Sequence, residues 1–193
     1  MNRKIILPLL LLSTLVALAT LPQSAFATTH GQNGHQQASQ GTIAVFAVSL
    51  RGDQQVPNVS TNAFGFVVVR LFQNGTSSAI DFHLIVCNIA NVMHAHIHVG
   101  GAGANGPIVV PFFDQPSTPV SKARGCTVLA HGLRGPSDLI PRPAAGINSW
   151  NDFVSALMSG NTYVNVHTTA NPGGEIRGQL VPQQEQSENQ GTD

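Results

Sequence analysis

Three histidines at alternate positions, His94, His96 and His98, carry the most distinctive chemistry in this sequence. In a β-strand, residues i, i+2 and i+4 share one face, so the spacing predicts a row of imidazoles backed by an apolar row of Ala95, Ile97 and Val99. In a helix the same rings would scatter around the axis. Neutral imidazole suits copper(II) and zinc. Alternate side chains stand about 7 Å apart along a strand, whereas two ligand nitrogens of one ion are only about 3 Å apart. Three rings in a row therefore cannot all reach one ion with equal ease. The expected core pair is His96 and His98, with His167 arriving from a later hairpin and His94 as a fourth ligand or a hydrogen-bonding neighbour. Binding needs the neutral ring, so affinity is expected to fall below pH of about 6.5, the ordinary histidine value.

The hairpin that must deliver His167 is legible in the pattern. Thr162–Thr168 (TYVNVHT) and Gly174–Val181 (GEIRGQLV) flank the turn Thr169-Ala170-Asn171-Pro172-Gly173. Pairing Thr168 with Gly174 sets His167 opposite Glu175, Asn165 opposite Arg177 and Tyr163 opposite Gln179. The other face is then Val164, Val166, Ile176 and Leu180. Glu175, Asn165 and Arg177 become residues expected to support the metal ligands from behind, Glu175 by orienting His167.

The remaining elements form an all-β frame. Strands are predicted over Thr42–Leu50, Ala63–Phe72, Ser78–Cys87, Asn91–Val99, Ile108–Phe113 and Gly125–Leu133, with a loop over Asp114–Arg124. Arg51-Gly52-Asp53 is an ordinary turn sequence. One short helix is predicted over Ser149–Met158, with Ser149 as N-cap, Asp152 in the first turn, and Trp150, Phe153, Val154, Leu157 and Met158 facing the core. Short strands punctuated by Gly and Pro point to an antiparallel β-sandwich or Greek-key-like barrel, the helix preceding the C-terminal hairpin. The Gly-rich stretch Gly100–Gly106 is followed by Pro107 and another apolar strand, not by a helix, which excludes a phosphate-binding loop.

The first residues lead us to expect export from the cytoplasm. Arg3 and Lys4, the apolar run Ile5–Leu21 and the small-residue site Ala25-Phe26-Ala27 are expected to form a signal peptide over residues 1–27, cleaved after Ala27, with an uncleaved membrane anchor as the alternative. Residues 28–41 form a polar lead-in containing His30 and His35, residues 42–181 the β domain, and residues 182–193 a polar tail. Without Arg3 and Lys4, seven basic residues face nine acidic ones, a net charge of −2 that excludes a nucleic-acid footprint. No later segment is apolar enough to span a membrane. In an oxidising compartment Cys87 and Cys126 are expected to form a disulfide, worth about 4 kcal/mol by loop entropy.

Three blocks carry a family resemblance: Leu50-Arg51-Gly52-Asp53-Gln54-Gln55-Val56-Pro57; the histidine row with Asn105-Gly106-Pro107 behind it; and Tyr163–His167 followed by Asn171-Pro172-Gly173-Gly174-Glu175-Ile176-Arg177-Gly178. From about Ile43 to Leu180 the chain resembles the CHRD domain, the repeated module of chordin that also occurs in exported microbial proteins. The resemblance implies a secreted or cell-surface β-rich binding module for an extracellular protein or surface ligand, with no reaction attached. A narrower similarity, a His-x-His strand with a late histidine and one disulfide, is to copper/zinc superoxide dismutase. That similarity implies a copper enzyme as an alternative, as a purely structural module without metal is another. Against the enzyme, the sequence shows no histidine placed to bridge two metals and no Asp among the clustered histidines.

Overall fold

The computed structural model describes residues 41–74, 76–114 and 120–183. The signal segment, His30, His35, Gly75 and the chain from 184 onward lie outside the described residues. Seven antiparallel strands form one sheet: β1 (Thr42–Arg51), β2 (Phe64–Asn74), β3 (Ser77–Val99), β4 (Ile108–Asp114), β5 (Val120–Arg134), β6 (Thr162–Thr168) and β7 (Ile176–Leu180). Helix α1 (Trp150–Met158) precedes β6. The strands run in the order β2-β1-β7-β6-β3-β4, and the further pairing of β2 with β3 closes the sheet into a barrel. Of the two architectures expected, the barrel is the one formed.

β3 explains how closure works. The pattern predicts two strands, Ser78–Cys87 and Asn91–Val99; the structure makes one of 23 residues. Asn88 and Asn91 take left-handed backbone angles, φ 50° and 54°, which asparagine tolerates better than most side chains. The register shifts on either side of Ile89. The strand therefore bends without ending. Its first half pairs with β2 and β5, its second with β6 and β4. The same bend draws Val120 and Lys122 into register with Val92 and Ile89, so β5 begins earlier than the predicted Gly125 and takes residues 120–124 out of the expected loop.

The barrel interior is apolar. Ala95, Ile97 and Val99 from the histidine strand meet Val164, Val166, Ile176 and Leu180 from the hairpin, with Phe46, Leu50, Val67, Leu84 and Val86 from the first three strands. Helix α1 is capped as expected: the Ser149 hydroxyl accepts from the Asp152 N–H, and the Asp152 carboxylate accepts from the Ser149 N–H. Trp150, Phe153 and Leu157 are buried, whereas Met158 is exposed and drops out of the predicted core stripe. The N-terminus of this nine-residue helix follows the capping box, and the predicted stripe overestimates how much of a short helix one core can cover.

Cys87 and Cys126 are bonded and face each other as a register pair of β3 and β5. The link spans 39 residues. Replacing both by serine should lower unfolding free energy by about 4 kcal/mol in the chain-entropy description, read from denaturant titration. An unchanged midpoint would show that the ladder alone holds β5 in place.

Candidate metal centre

The hairpin of β6 and β7 has the expected register, with Tyr163 opposite Gln179 and Asn165 opposite Arg177. Its polar face lies outside the barrel, yet it is not a solvent face. Every residue of β6 is buried, and Arg177 is only 1% exposed. Two segments and a turn cover it. From residues 52–63, Gln55 donates to Asn165 Oδ1 (2.6 Å) and Thr61 to Glu175 (2.7 Å). From the glycine-rich connection, Gly101 O and Gly100 O accept from Arg177 and Gln179 (2.8 and 2.9 Å). The turn after β6 closes over His167.

Within this cover the rings converge. β6 pairs with β3 so that His167 is opposite His94 and Tyr163 opposite His98. The β3–β4 ladder shifts register at Ala95/His96 and again at Ile97/His98, and such bulges increase local twist. His96, His98 and His167 end with ring centroids 5.3, 5.5 and 5.9 Å apart, and each offers a nitrogen within 4.8 Å of the other two. All three are buried. The expected set of His96, His98 and His167 is thus brought together; His94 stands at its edge, half-buried and outside the trio.

Hydrogen bonds determine where the lone pairs are. Nδ1 of His98 bonds Gly106 O (2.9 Å), and Nδ1 of His167 bonds Pro172 O (2.9 Å). A carbonyl only accepts, so both Nδ1 atoms carry hydrogen and both Nε2 atoms carry a lone pair. Those Nε2 atoms are 3.3 Å apart. Two lone pairs at that distance repel unless a cation lies between them. Nitrogens bound to a tetrahedral ion at about 2.0–2.1 Å sit about 3.3 Å apart, so the pair matches a metal chelate. His96 adds a third donor. Its Nε2 bonds Asp114 Oδ1 (2.9 Å), and its Nδ1 is buried without a hydrogen-bond partner among the described residues.

Burial keeps these rings neutral. It lowers His98 and His167 to a pKa of about 4, outweighing the carbonyl bonds that favour their charged forms. His96 is lowered as well, burial again exceeding the opposing pull of Asp114. For Asp114 burial pushes upward, but the hydrogen bonds from His96 and His94 prevail and hold its carboxyl below the usual range. A Tyr163 ring stacks on His98 at 5.0 Å, and Arg177 lies 3.5 Å over the Tyr163 ring.

The supporting residues differ from the expectation in one respect. Among the described residues, none of the hydrogen bonds of Glu175, Asn165 or Arg177 ends on an imidazole. Glu175 accepts from Thr61 and Thr168 (both 2.7 Å), so it does not orient His167. Asn165 donates to Gly173 O (3.1 Å), bracing the turn whose Pro172 carbonyl holds His167. Arg177 braces the loop that ends in Gly106, the residue that holds His98. The acceptors that hold the ligand rings are two backbone carbonyls and Asp114, against the expectation of no Asp among the histidines. The pattern alone would not have placed Asp114: folding the chain back around Gly103 pairs His98 with Ile108 and would set Phe112 opposite His94, and only the two register shifts of the β3–β4 ladder bring Asp114 there.

These features define a small β-barrel module whose covered polar face gathers a histidine-rich group able to hold a metal ion. Residues 46–180 match the CHRD domain, and the chain belongs to that family, which supports a binding module. Neither the curated proteins nor the solved structures contain a match.

Proposed function

We propose that the chain is an exported CHRD-type binding module that carries a copper or zinc ion at His96, His98 and His167. One observation carries the metal reading: two neutral imidazoles, each tied through Nδ1 to a backbone carbonyl, point their Nε2 lone pairs at each other across 3.3 Å. The surrounding chemistry agrees with it. The donors are all nitrogen, which suits copper(II) and zinc, copper(II) binding the tighter. The rings are oriented by acceptors behind them, as metal-bound imidazole usually is.

Export is supported by the leader-like residues 1–27 and by the disulfide. Among the described residues no helix is long and apolar enough to cross a membrane. The ion in this reading is structural: it would lock β3 to the β6–β7 hairpin and hold the covering loops that form the binding surface.

The test is calorimetric titration of the full chain, with His30 and His35 replaced by alanine, using copper(II) and zinc(II) in turn. The expected result is tight binding that His98→Ala,His167→Ala removes, weakening it more than about 100-fold, beyond the range seen when only a supporting residue is lost. Equal affinity in the two proteins would overturn the metal reading and leave a structural module.

A further inference from the structure

We propose that a second divalent ion binds at His94, His96 and Asp114, and that the ring of His96 joins it to the inner ion. The inference rests on the inner-centre reading and adds a site that the inner trio does not include.

Four observations place it. First, His94, His96 and Asp114 each offer one ligand atom, all within 4.8 Å of one another, and His96 belongs both to this group and to the inner one. Second, the two nitrogens of His96 have different surroundings: Nε2 is bonded to Asp114 Oδ1, whereas Nδ1 is buried without a hydrogen-bond partner among the described residues. A single imidazole can therefore serve two ions, one at each nitrogen, against the expectation from the sequence of no histidine placed to bridge two metals. Third, Asp114 Oδ1 takes both rings, His94 Nδ1 at 2.8 Å and His96 Nε2 at 2.9 Å. An ion with bonds of about 2.0–2.2 Å needs its donors only slightly further apart. Fourth, the outer group can open by that amount and admit water to complete the coordination shell: the side chains of His94 and Asp114 are 40% and 51% exposed. The donor set differs from the inner one in containing a carboxylate, which zinc accepts readily.

The proton balance is defined. With Asp114 accepting, both bonded nitrogens carry hydrogen. When the outer ion binds, the hydrogen on His94 Nδ1 is exchanged through solvent to Nε2, with no net loss. The hydrogen on His96 Nε2 leaves to solvent, so the shared ring becomes an imidazolate and one proton is released. Asp114 changes from accepting two N–H bonds to ligating the ion.

The experiment is equilibrium dialysis of the full chain, carrying His30→Ala and His35→Ala, against zinc(II), with metal and protein counted by mass spectrometry and amino-acid analysis. The expected result is two ions per chain, falling to one in His94→Ala and to one in Asp114→Asn. The asparagine can still accept from both rings, so His96 stays oriented and the inner ion is retained. Loaded with copper(II), the parent should give less spin-resonance signal per copper than His94→Ala, because an imidazolate bridge couples the two spins. One ion in the parent, unchanged in His94→Ala, overturns the second site and leaves the inner reading standing. Two ions in both proteins place the outer ion elsewhere and also overturn it. No ion in the parent removes both readings.

Discussion

Acidification should leave metal affinity nearly unchanged from pH of about 7.5 to about 5.5, then begin to weaken it as the pH approaches about 4, where His98 and His167 take up protons, with a steep loss below that value. Ordinary histidines would compete with the ion already near 6.5. Here burial holds both rings neutral far below that value, so protons compete late. The same shift acts on the metal-free fold, with a definite sign. The folded-state pKa lies below the unfolded one, so between about 6.5 and about 4 the unfolded chain binds more protons than the folded one. Stability is complete above the unfolded value and falls as the pH drops through this window. It levels off below the folded value. One such ring accounts for on the order of 3 kcal/mol over the whole window. Calorimetric titration at a series of pH values, with denaturant midpoints of the metal-free protein beside it, tests both parts. A tenfold loss of affinity between pH of about 7 and about 6 would show that the rings titrate as exposed imidazole does.

Replacing Gly106 by alanine is expected to be the most damaging single methyl in the domain. A Cβ there would lie 1.6 Å from Val99 O, a backbone atom of β3 that cannot rotate away. The connection would have to lift off the strand. Lifting breaks the bond from Val99 N–H to Pro107 O (3.1 Å) and the bond from Gly106 N–H to the Tyr163 hydroxyl (3.0 Å). It also withdraws the carbonyl that orients His98. The expected loss is about 3 kcal/mol or more, in the range of backbone clashes with buried neighbours. For a domain of this size that lowers the melting temperature by about 6–12 °C. Metal affinity should fall at least about tenfold, as it does when a ligand loses its hydrogen-bond partner. Gly103→Ala is the control. Gly103 has φ +77° but nothing within 4 Å of an added Cβ, so only backbone strain opposes it. Its cost should stay near 1 kcal/mol. Equal melting temperatures for the two variants would mean that the connection moves freely and does not hold His98.

The sequence by itself determined what depends on short-range periodicity. The alternation in residues 93–99 put three imidazoles on one strand face, because side chains alternate along any strand. The matched polar and apolar faces of β6 and β7 determined their register, since a slip of one residue would have turned Val164 and Val166 out of the core. Ser149 and Asp152 determined where the helix begins through their reciprocal hydrogen bonds. The tertiary structure decided the rest. Asn88 and Asn91 bend β3 instead of ending it, a choice that depends on the partners β5 and β6 waiting on either side. The hairpin face is polar in sequence, and the long-range cover by Gln55 and Thr61 and by the carbonyls of Gly100 and Gly101 buries it. That burial is what lowers His98 and His167 and turns ordinary surface imidazoles into neutral donors. The meeting of their Nε2 atoms joins residues 69 apart in the chain. The sequence named both residues, but no local pattern encodes the approach of these two atoms to 3.3 Å, because it arises from bulged pairing and barrel closure acting together.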